Sequence, residues 1–545
     1  MFRLKNPDSK LISSLTLAVL AVLSVAAVAC ANRTSDLTPI AEARDSLQTQ
    51  PQTQSTASTV QSFTPVEGAD LMSKLNAAQA RGRTGQTSYW SAYTFDVRPG
   101  VAVDPDIRDF NGSIHTIGDS SVFVGTTSSG MTVETRNLAI FLLRDPAANQ
   151  ITRMEVYNLE RKREYSSYPV YWMGRANNEE SLNYLRALAA ASPLDILGER
   201  AVLGIALHDD ARVAGMLKNF VTSSPNQQVR SSSVYWLGQV GGEQNFLATL
   251  VRNEAEPKEL RRSAAHAIGQ SKERGGVALL QGLFESAKDA ELRRSIVSAA
   301  SHSVFEKPQA FTFLLGVAKN DADWETRRTA VRRLGQFERE DAVDELMKIY
   351  ANDPQLDVKR NALRALAETK SPKAQARLME VARNDPNPEL RKQAIRVLGE
   401  RGEAAVDDLL KLFDSEQSVD VKRSVLQSLS ETKSTRVEDK LFEVARSNDT
   451  AVDVRRQAIR LLGERVGKRS FEFLSQTAQS NDANVEVQMQ AVRAISDRRS
   501  DESVPLLIKI ARTHPNQQIR KQAIRSLGES GDPRAVEFFR EVLTK

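Results

Sequence analysis

The apolar positions of this chain follow a pattern that returns every 31 to 34 residues. One clear copy is Val454-Arg455-Arg456-Gln457-Ala458-Ile459-Arg460-Leu461-Leu462-Gly463. Its relatives begin at Tyr165, Leu197, Val229, Leu260, Leu292, Thr326, Val358, Leu390, Val421, Val487 and Ile519. Counting each start as zero, positions five and eight are apolar in all twelve copies, from Val170 to Ile524 and from Met173 to Leu527. Position four is Ala in eight copies, and position nine is Gly in seven, Ser in three and Ala in two. At ~100° per residue, positions zero, four, five and eight share one helix face. Alanine at four lets a second helix approach closely. The small residue at nine predicts a helix end, where glycine takes the left-handed turn. Between the copies, Val343–Tyr350, Ala376–Ala382 and Val437–Ala445 carry helical patterns of their own, so each repeat holds two helices. Asn-Asp pairs beginning at Asn320, Asn352, Asn384, Asn448 and Asn481 precede the second helix and read as turn and capping residues rather than metal ligands.

A period of this length is that of a solenoid. The segment resembles the HEAT repeat, in the short variety first associated with phycobilin lyases, from Tyr165 to Lys545. That resemblance implies a mainly α fold, a right-handed α-solenoid of about twelve two-helix repeats over 161–545, each stacked on its neighbours. It bears on the fold far more than on the function. The shared Val-Tyr-Trp-x-Gly at Val170–Gly174 and Val234–Gly238 supports counting the first copies.

Ahead of the repeats the period changes. Ala69–Ala80 predicts one short helix. The β-branched and aromatic runs at Tyr89–Val97, Ser121–Thr127, Met131–Thr135, Leu138–Leu143 and Ile151–Tyr157 predict strands. Pro99-Gly100, Asn111-Gly112, Ser129-Gly130 and Asp145-Pro146 supply the turns. Residues 66–160 are therefore expected to form a small, mainly antiparallel β domain that covers the apolar end of the first repeat.

The first 29 residues read as an export signal. Arg3, Lys5 and Lys10 precede an apolar run, Leu11–Ala29, that closes on Ala27-Val28-Ala29, the small-x-small pattern of a cleavage site. Cys30, the chain's one cysteine, follows at once. This arrangement resembles the bacterial lipoprotein box and implies lipidation at Cys30. Ordinary cleavage, leaving a soluble secreted protein, is the alternative. With a single cysteine, disulfides play no part within the chain. The Ser/Thr/Gln-rich stretch within 30–65 has too few apolar groups to fold and reads as a flexible tether.

Charge adds a second pattern. Lys and Arg number 74 against 69 Asp and Glu, a net charge of +5. Without the first 29 residues, which hold Arg3, Lys5, Lys10 and Asp8, the balance is 71 against 68, so the placement of charges matters more than their sum. Position minus one is acidic in nine copies, including Glu259, Asp357 and Asp453, and position one is basic in nine, including Arg261, Lys359 and Arg455. By resemblance to HEAT-like arrays, these form a ladder between repeats. Positions two and six lie opposite the core and are i, i+4 neighbours. They carry Arg262, Arg294, Arg328, Arg360, Lys392, Arg423, Arg456 and Lys521, and Arg332, Arg364, Arg396, Arg460, Arg493 and Arg525. By the same resemblance the second helix lines a concave groove, which makes this stripe a candidate binding surface. A solvated face balanced by nearby carboxylates is the competing reading. In the first copies position six is Tyr171, Leu203, Tyr235, His266 and Ser298, with Trp172 and Trp236 beside it. Tyr171, Tyr235 and Trp236 are thus candidates for an aromatic end of the groove.

Signals of catalysis are missing. None of the five histidines is followed by Glu, so the His-Glu pairs of metal-binding HEAT hydroxylases are not present, and no spacing suits zinc. There is no P-loop and no G-x-S-x-G. No catalytic residue, metal or cofactor is assigned. The sequence points to a non-enzymatic scaffold or adaptor of the bacterial cell envelope, periplasmic or tethered to the outer membrane. Its partner would be a protein or peptide, acidic or extended. The alternatives are a phycobilin-lyase-like enzyme and a nucleic-acid-binding solenoid that uses the basic stripe.

Overall fold

Eight strands and one helix precede a long run of paired helices. The computed structural model describes residues 63–544 except 105–110, 118–119, 127–133, 148–149, 164, 166–167, 192–194, 338, 433, 466 and 481–483. The signal segment 1–29, Cys30 and the tether as far as 62 lie outside the described residues, as do the Ser129-Gly130 turn and most of the Met131–Thr135 strand.

The strands are β1 (Thr64–Pro65), β2 (Tyr89–Thr94), β3 (Val101–Val103), β4 (Asn111–Ile117), β5 (Ser120–Thr126), β6 (Leu138–Asp145), β7 (Gln150–Asn158) and β8 (Val170–Arg175). Five make one sheet in the order β1-β8-β2-β6-β7, and three make another in the order β3-β5-β4. Pairing is antiparallel except where β8 runs parallel to β1 and β2. The helix α1 (Leu71–Gly85) starts at Asp70, whose carboxylate accepts the Ser73 N–H at 2.7 Å. Asn111-Gly112, expected as a turn, opens strand β4. The sheet reaches two residues into the segment assigned to the tether. Thr64 and Pro65 pair with Tyr171 and Trp172, and Phe63 packs on the rings of Tyr165 and Trp172.

Helices α2 (Asn178–Ala191) to α24 (Pro533–Leu543) follow as antiparallel pairs. The first helices of the pairs are α2, α4 (Arg212–Ser223), α6 (Gln244–Arg252), α8 (Gly276–Ser286), α10 (Lys307–Asn320), α12 (Glu340–Asn352), α14 (Pro372–Asn384), α16 (Val406–Ser415), α18 (Thr435–Arg446), α20 (Lys468–Gln479) and α22 (Ser500–Thr513). The second helices are α3 (Asp195–Ala206), α5 (Gln227–Val240), α7 (Lys258–Gln270), α9 (Ala290–Ser301), α11 (Trp324–Leu334), α13 (Leu356–Glu368), α15 (Pro388–Gly399), α17 (Val419–Ser430), α19 (Val452–Glu464), α21 (Val485–Ser496) and α23 (Gln517–Ser530). These are the repeated pattern, with one correction. The copy beginning at Tyr165 is not helical, since its apolar core Val170–Arg175 is strand β8. Pro169 stands at its position four, where a helix needs a backbone N–H and room for the preceding turn. Eleven helix pairs, not twelve, therefore stack among the described residues, and α24 closes the array.

Sheet and helices share one apolar core. Met154 of β7 lies against Gly204 of α3 so closely that a Cβ there would meet its Cε at 2.8 Å. Arg98 and Asp209 exchange backbone bonds with Leu207 and Asp96 across the junction, at 2.9 and 2.8 Å. Arg200 donates to the Met154 carbonyl at 2.8 Å and bridges the buried Glu155 carboxylate. The β domain covers the first helix pair with no linker between them.

Position nine corrects the expected role of its glycines. None of Gly238, Gly269, Gly335, Gly399 and Gly463 has a positive φ. Each instead faces the small residue at position seven of the next repeat. A Cβ on Gly238 would sit 2.6 Å from the Ala267 carbonyl oxygen, and one on Gly335 would sit 2.7 Å from that of Ala365. Gly399 and Gly463 meet the Cβ atoms of Ser428 and Ala494 at 2.7 and 2.8 Å in the same way. The glycines let the backbones of successive second helices touch. The first-helix layer is more open, with a largely apolar cleft of ≈ 700 Å³ between α8 and α10.

The basic residue at position one pins the stack, but not to the predicted partner. Arg230, Arg261, Arg293, Arg391 and Arg455 donate to the carbonyls of Val221, Val251, Phe284, Ala382 and Ala445, at 2.6 to 3.4 Å, near the end of the first helix in their own repeat. Arginine there complements the negative end of that helix. Arg230, Arg293, Arg327 and Arg391 also bind carboxylates in the following repeat, those of Glu256, Asp321, Asp353 and Glu416. The ladder acid thus lies in the loop before the second helix. Asp321 and Asp353 belong to the Asn-Asp pairs, and each also accepts the backbone N–H two residues on.

Candidate functional site

The basic stripe lies on the outward face of the second helices, and acidic rows at positions minus one and ten run on either side of it. Position two pairs with the acid three residues earlier on the same helix. Arg360 meets Asp357 at 3.2 Å, Lys392 meets Glu389 at 2.9 Å and Arg456 meets Asp453 at 3.4 Å. Position six pairs with the acid four residues later, Arg396 with Glu400 at 3.3 Å, Arg460 with Glu464, and Arg525 with Glu529 at 3.2 Å. Such exposed pairs contribute ~0–1 kcal/mol each, so they neutralise the face more than they hold the fold. Arg328 rests over the Trp324 ring at 5.2 Å, and Arg493 donates to Gln522 at 3.4 Å. Arg332, Arg364 and Lys521 are exposed and have no ion pair among the described residues.

The stripe is not neutralised evenly. Between α13 and α15 lies a shallow depression of ≈ 360 Å³, lined by Asp357, Arg360, Asn361, Arg364, Glu389, Lys392, Gln393 and Arg396. Four cations face two carboxylates in its lining, and Glu400 beside it holds Arg396, which leaves Arg364 as the cation there without an ion pair among the described residues. A further acid, Glu368, stands near Arg332 and Arg333. Burial raises its pKa, and the two arginines oppose that rise.

The aromatic candidates separate. Tyr235, on α5, is half-buried on this face, and burial pushes its phenol up to about 12. Trp236 is fully buried and belongs to the core. Tyr171 is half-buried on strand β8, not on a second helix, with its ring 5.3 Å from that of Tyr89. Trp236, as part of the core, cannot line the groove. His266 is partly buried at position six of α7, 5.7 Å from the His302 ring. Burial first, then His302, Arg333 and Arg262, push its pKa down to about 4, so the stripe carries no charge at this point near neutral pH.

Position three was overlooked in the sequence reading. From Ser232 to Gln522 it is a hydroxyl or amide residue in every one of ten copies, and Asn361 and Gln393 are only 8% and 9% exposed. That uniform polarity beside the basic rows was the available signal. Among the described residues no group of three or more His, Cys, Asp or Glu could hold a metal ion, and no helix is long and apolar enough to cross a membrane.

Four overlapping segments, 311–399, 376–463, 438–513 and 471–545, match the family model for HEAT repeats. The C-terminal part of the helical array, 311–545, is thus made of HEAT repeats. Comparison with curated proteins gives no match. Among solved structures, the chain is similar to human deoxyhypusine hydroxylase, at 17% identity over 47% of this chain and 95% of that one, with a TM-score of 0.22. It is similar to the complex of CpcE and CpcF of phycocyanin lyase from a Nostoc species, at 20% identity over 46% and 92%, with a TM-score of 0.25. It is also similar to yeast importin-β, at 12% identity over 66% and 56%, with a TM-score of 0.33.

Proposed function

We propose that this HEAT-repeat solenoid is a non-enzymatic scaffold that holds an acidic, extended protein segment along its second-helix face. The observation that carries the reading is the depression between α13 and α15, where Arg364, without an ion pair among the described residues, stands beside Arg360, Lys392 and Arg396, each held by one carboxylate. Close glycine contacts draw the second helices together while the first-helix layer stays open, which favours the second-helix side as the concave one. A groove lined by one sign of charge attracts the opposite sign and sets its register. The chain is exported in this reading, and lipid on Cys30 holds it at the envelope. The test is photo-crosslinking in the cell of origin from a probe at Arg364, with a probe at Gln309 in the first-helix layer as reference. The reading predicts capture of an Asp/Glu-rich segment from Arg364 alone, and loss of that capture in the Arg396→Glu, Arg460→Glu double variant. Equal capture from both probes, or capture unaffected by the double variant, removes the case. Fatty-acid labelling of wild type and Cys30→Ser tests the tether separately.

A further inference from the structure

The depression between α13 and α15 contains more than charge. Gln393 is 9% exposed; its Oε1 accepts from Arg396 at 3.0 Å, and its Nε2 is buried without a hydrogen-bond partner. One repeat earlier, Asn361 uses its Nδ2 on the Asp357 carbonyl at 2.8 Å, and its Oδ1 accepts no hydrogen bond among the described residues. Adjacent repeats therefore offer one open amide donor and one open amide acceptor, the complement of a peptide backbone. Two equivalent amides further along are engaged by position-six residues of a neighbouring repeat. Gln457 donates to Gln427 at 3.0 Å, and Gln522 accepts from Arg493.

Spacing selects the occupant's conformation. Packed helices lie ~8–10 Å apart. Three residues of polyproline II span about 9 Å, whereas the two-residue repeat of a β-strand spans about 7 Å. Only the first keeps step with the repeats, and its backbone groups are free of internal hydrogen bonds. Position six supplies one arginine per repeat across this region: Arg332, Arg364 and Arg396. Resting on the peptide-binding reading above, we propose that this depression takes the backbone of a polyproline II segment with an acidic residue at every third position. Gln393 and Asn361 hold the peptide units, and Arg332, Arg364 and Arg396 each meet one acid.

The experiment measures binding of fluorescein-labelled peptides to the full chain in ~0.15 M salt, near physiological ionic strength. One probe is four repeats of Glu-Pro-Pro, and the other is its isomer with the four glutamates together at one end. Binding of the periodic peptide is expected to be about tenfold tighter than that of its isomer, a difference worth one good charged contact. Arg364→Ala, at an exposed site, should remove most of that difference. Gln393→Ala, checked for helicity by circular dichroism, should weaken the periodic peptide about fivefold, a typical loss for one neutral hydrogen bond. Equal affinity for the two isomers overturns the three-residue register but leaves the acidic groove standing. No binding of either peptide overturns the inference outright, and the crosslinks from Arg364 then decide separately whether the groove binds protein at all.

Discussion

Arg327 and Asp353 come from successive repeats, and the arginine donates from both Nε and Nη2 to the aspartate carboxylate, at 2.7 and 3.2 Å. Both side chains are largely withdrawn from water, at 12% and 5% exposure. Removing one partner leaves the other charge buried, which costs far more than losing an exposed pair. Asp353→Ala should therefore destabilise the array by ~2–4 kcal/mol in urea unfolding. Asp357→Ala, which breaks the half-exposed pair with Arg360, should change stability by less than ~0.5 kcal/mol. Equal effects would mean that the ladder adds nothing beyond surface charge.

Glycine substitutions should separate the two layers. Gly269→Ala places a methyl group against the Ala299 backbone and should destabilise by ~2 kcal/mol, even though alanine is the better helix former by ~1 kcal/mol. Gly282, inside α8, has nothing within 4 Å of a built Cβ. Gly282→Ala should stabilise by ~0.5–1 kcal/mol. Thermal unfolding of the two variants reads both signs.

His208 predicts an acid-side loss of stability. It is 2% exposed, with Nδ1 2.7 Å from the Gly204 carbonyl oxygen and Nε2 2.8 Å from the Ser181 hydroxyl. Burial pushes its pKa down to about 4 from the ordinary 6.5. Between those values the unfolded chain takes up a proton that the folded chain refuses. The contribution is complete above pH 6.5 and is lost as pH falls through about 4. Urea midpoints should fall from pH 7 to pH 4.5, and His208→Gln should make that slope shallower.

Position five tests how each repeat depends on the next. It is fully buried at Ile459 but 40% exposed at Ile524 in α23. Ile459→Glu should unfold the array locally, at a cost above ~3 kcal/mol. Ile524→Glu should stay within ~1 kcal/mol of wild type. Limited proteolysis with mass mapping would locate the opening.

The fold was legible where a pattern repeated and ambiguous where it did not. The second helices appear in the sequence because eleven copies agree on positions five and eight. Val170-Tyr171-Trp172 and Val234-Tyr235-Trp236 show the limit: the same three residues form a strand in one place and a helix in the other. What separates them is Pro169 in one copy and Ser233 in the other, with a neighbouring strand, β2, to pair with in the first. Strands β3 and β4 are short or polar and gave no run to detect. At the candidate site the charge stripe and its balancing by nearby carboxylates were both readable as alternatives, but which acid meets which arginine was not. Arg360 and Asp357 look independent until one turn of helix brings them together. The amides at position three escaped notice because neutral polar residues do not announce themselves as charges do.

The contact of each position-nine glycine with the following repeat makes that row of small residues the ruler of the molecule. The distance from one arginine to the next along the groove is set by how nearly two backbones can touch. An added methyl group that widens each step by about 1 Å would accumulate over five repeats to more than the length of one residue of an extended chain. Such a change would leave every groove residue in place, yet shift the graduation against which a long ligand is measured. Short ligands would bind as before, and long ones would lose their far contacts first.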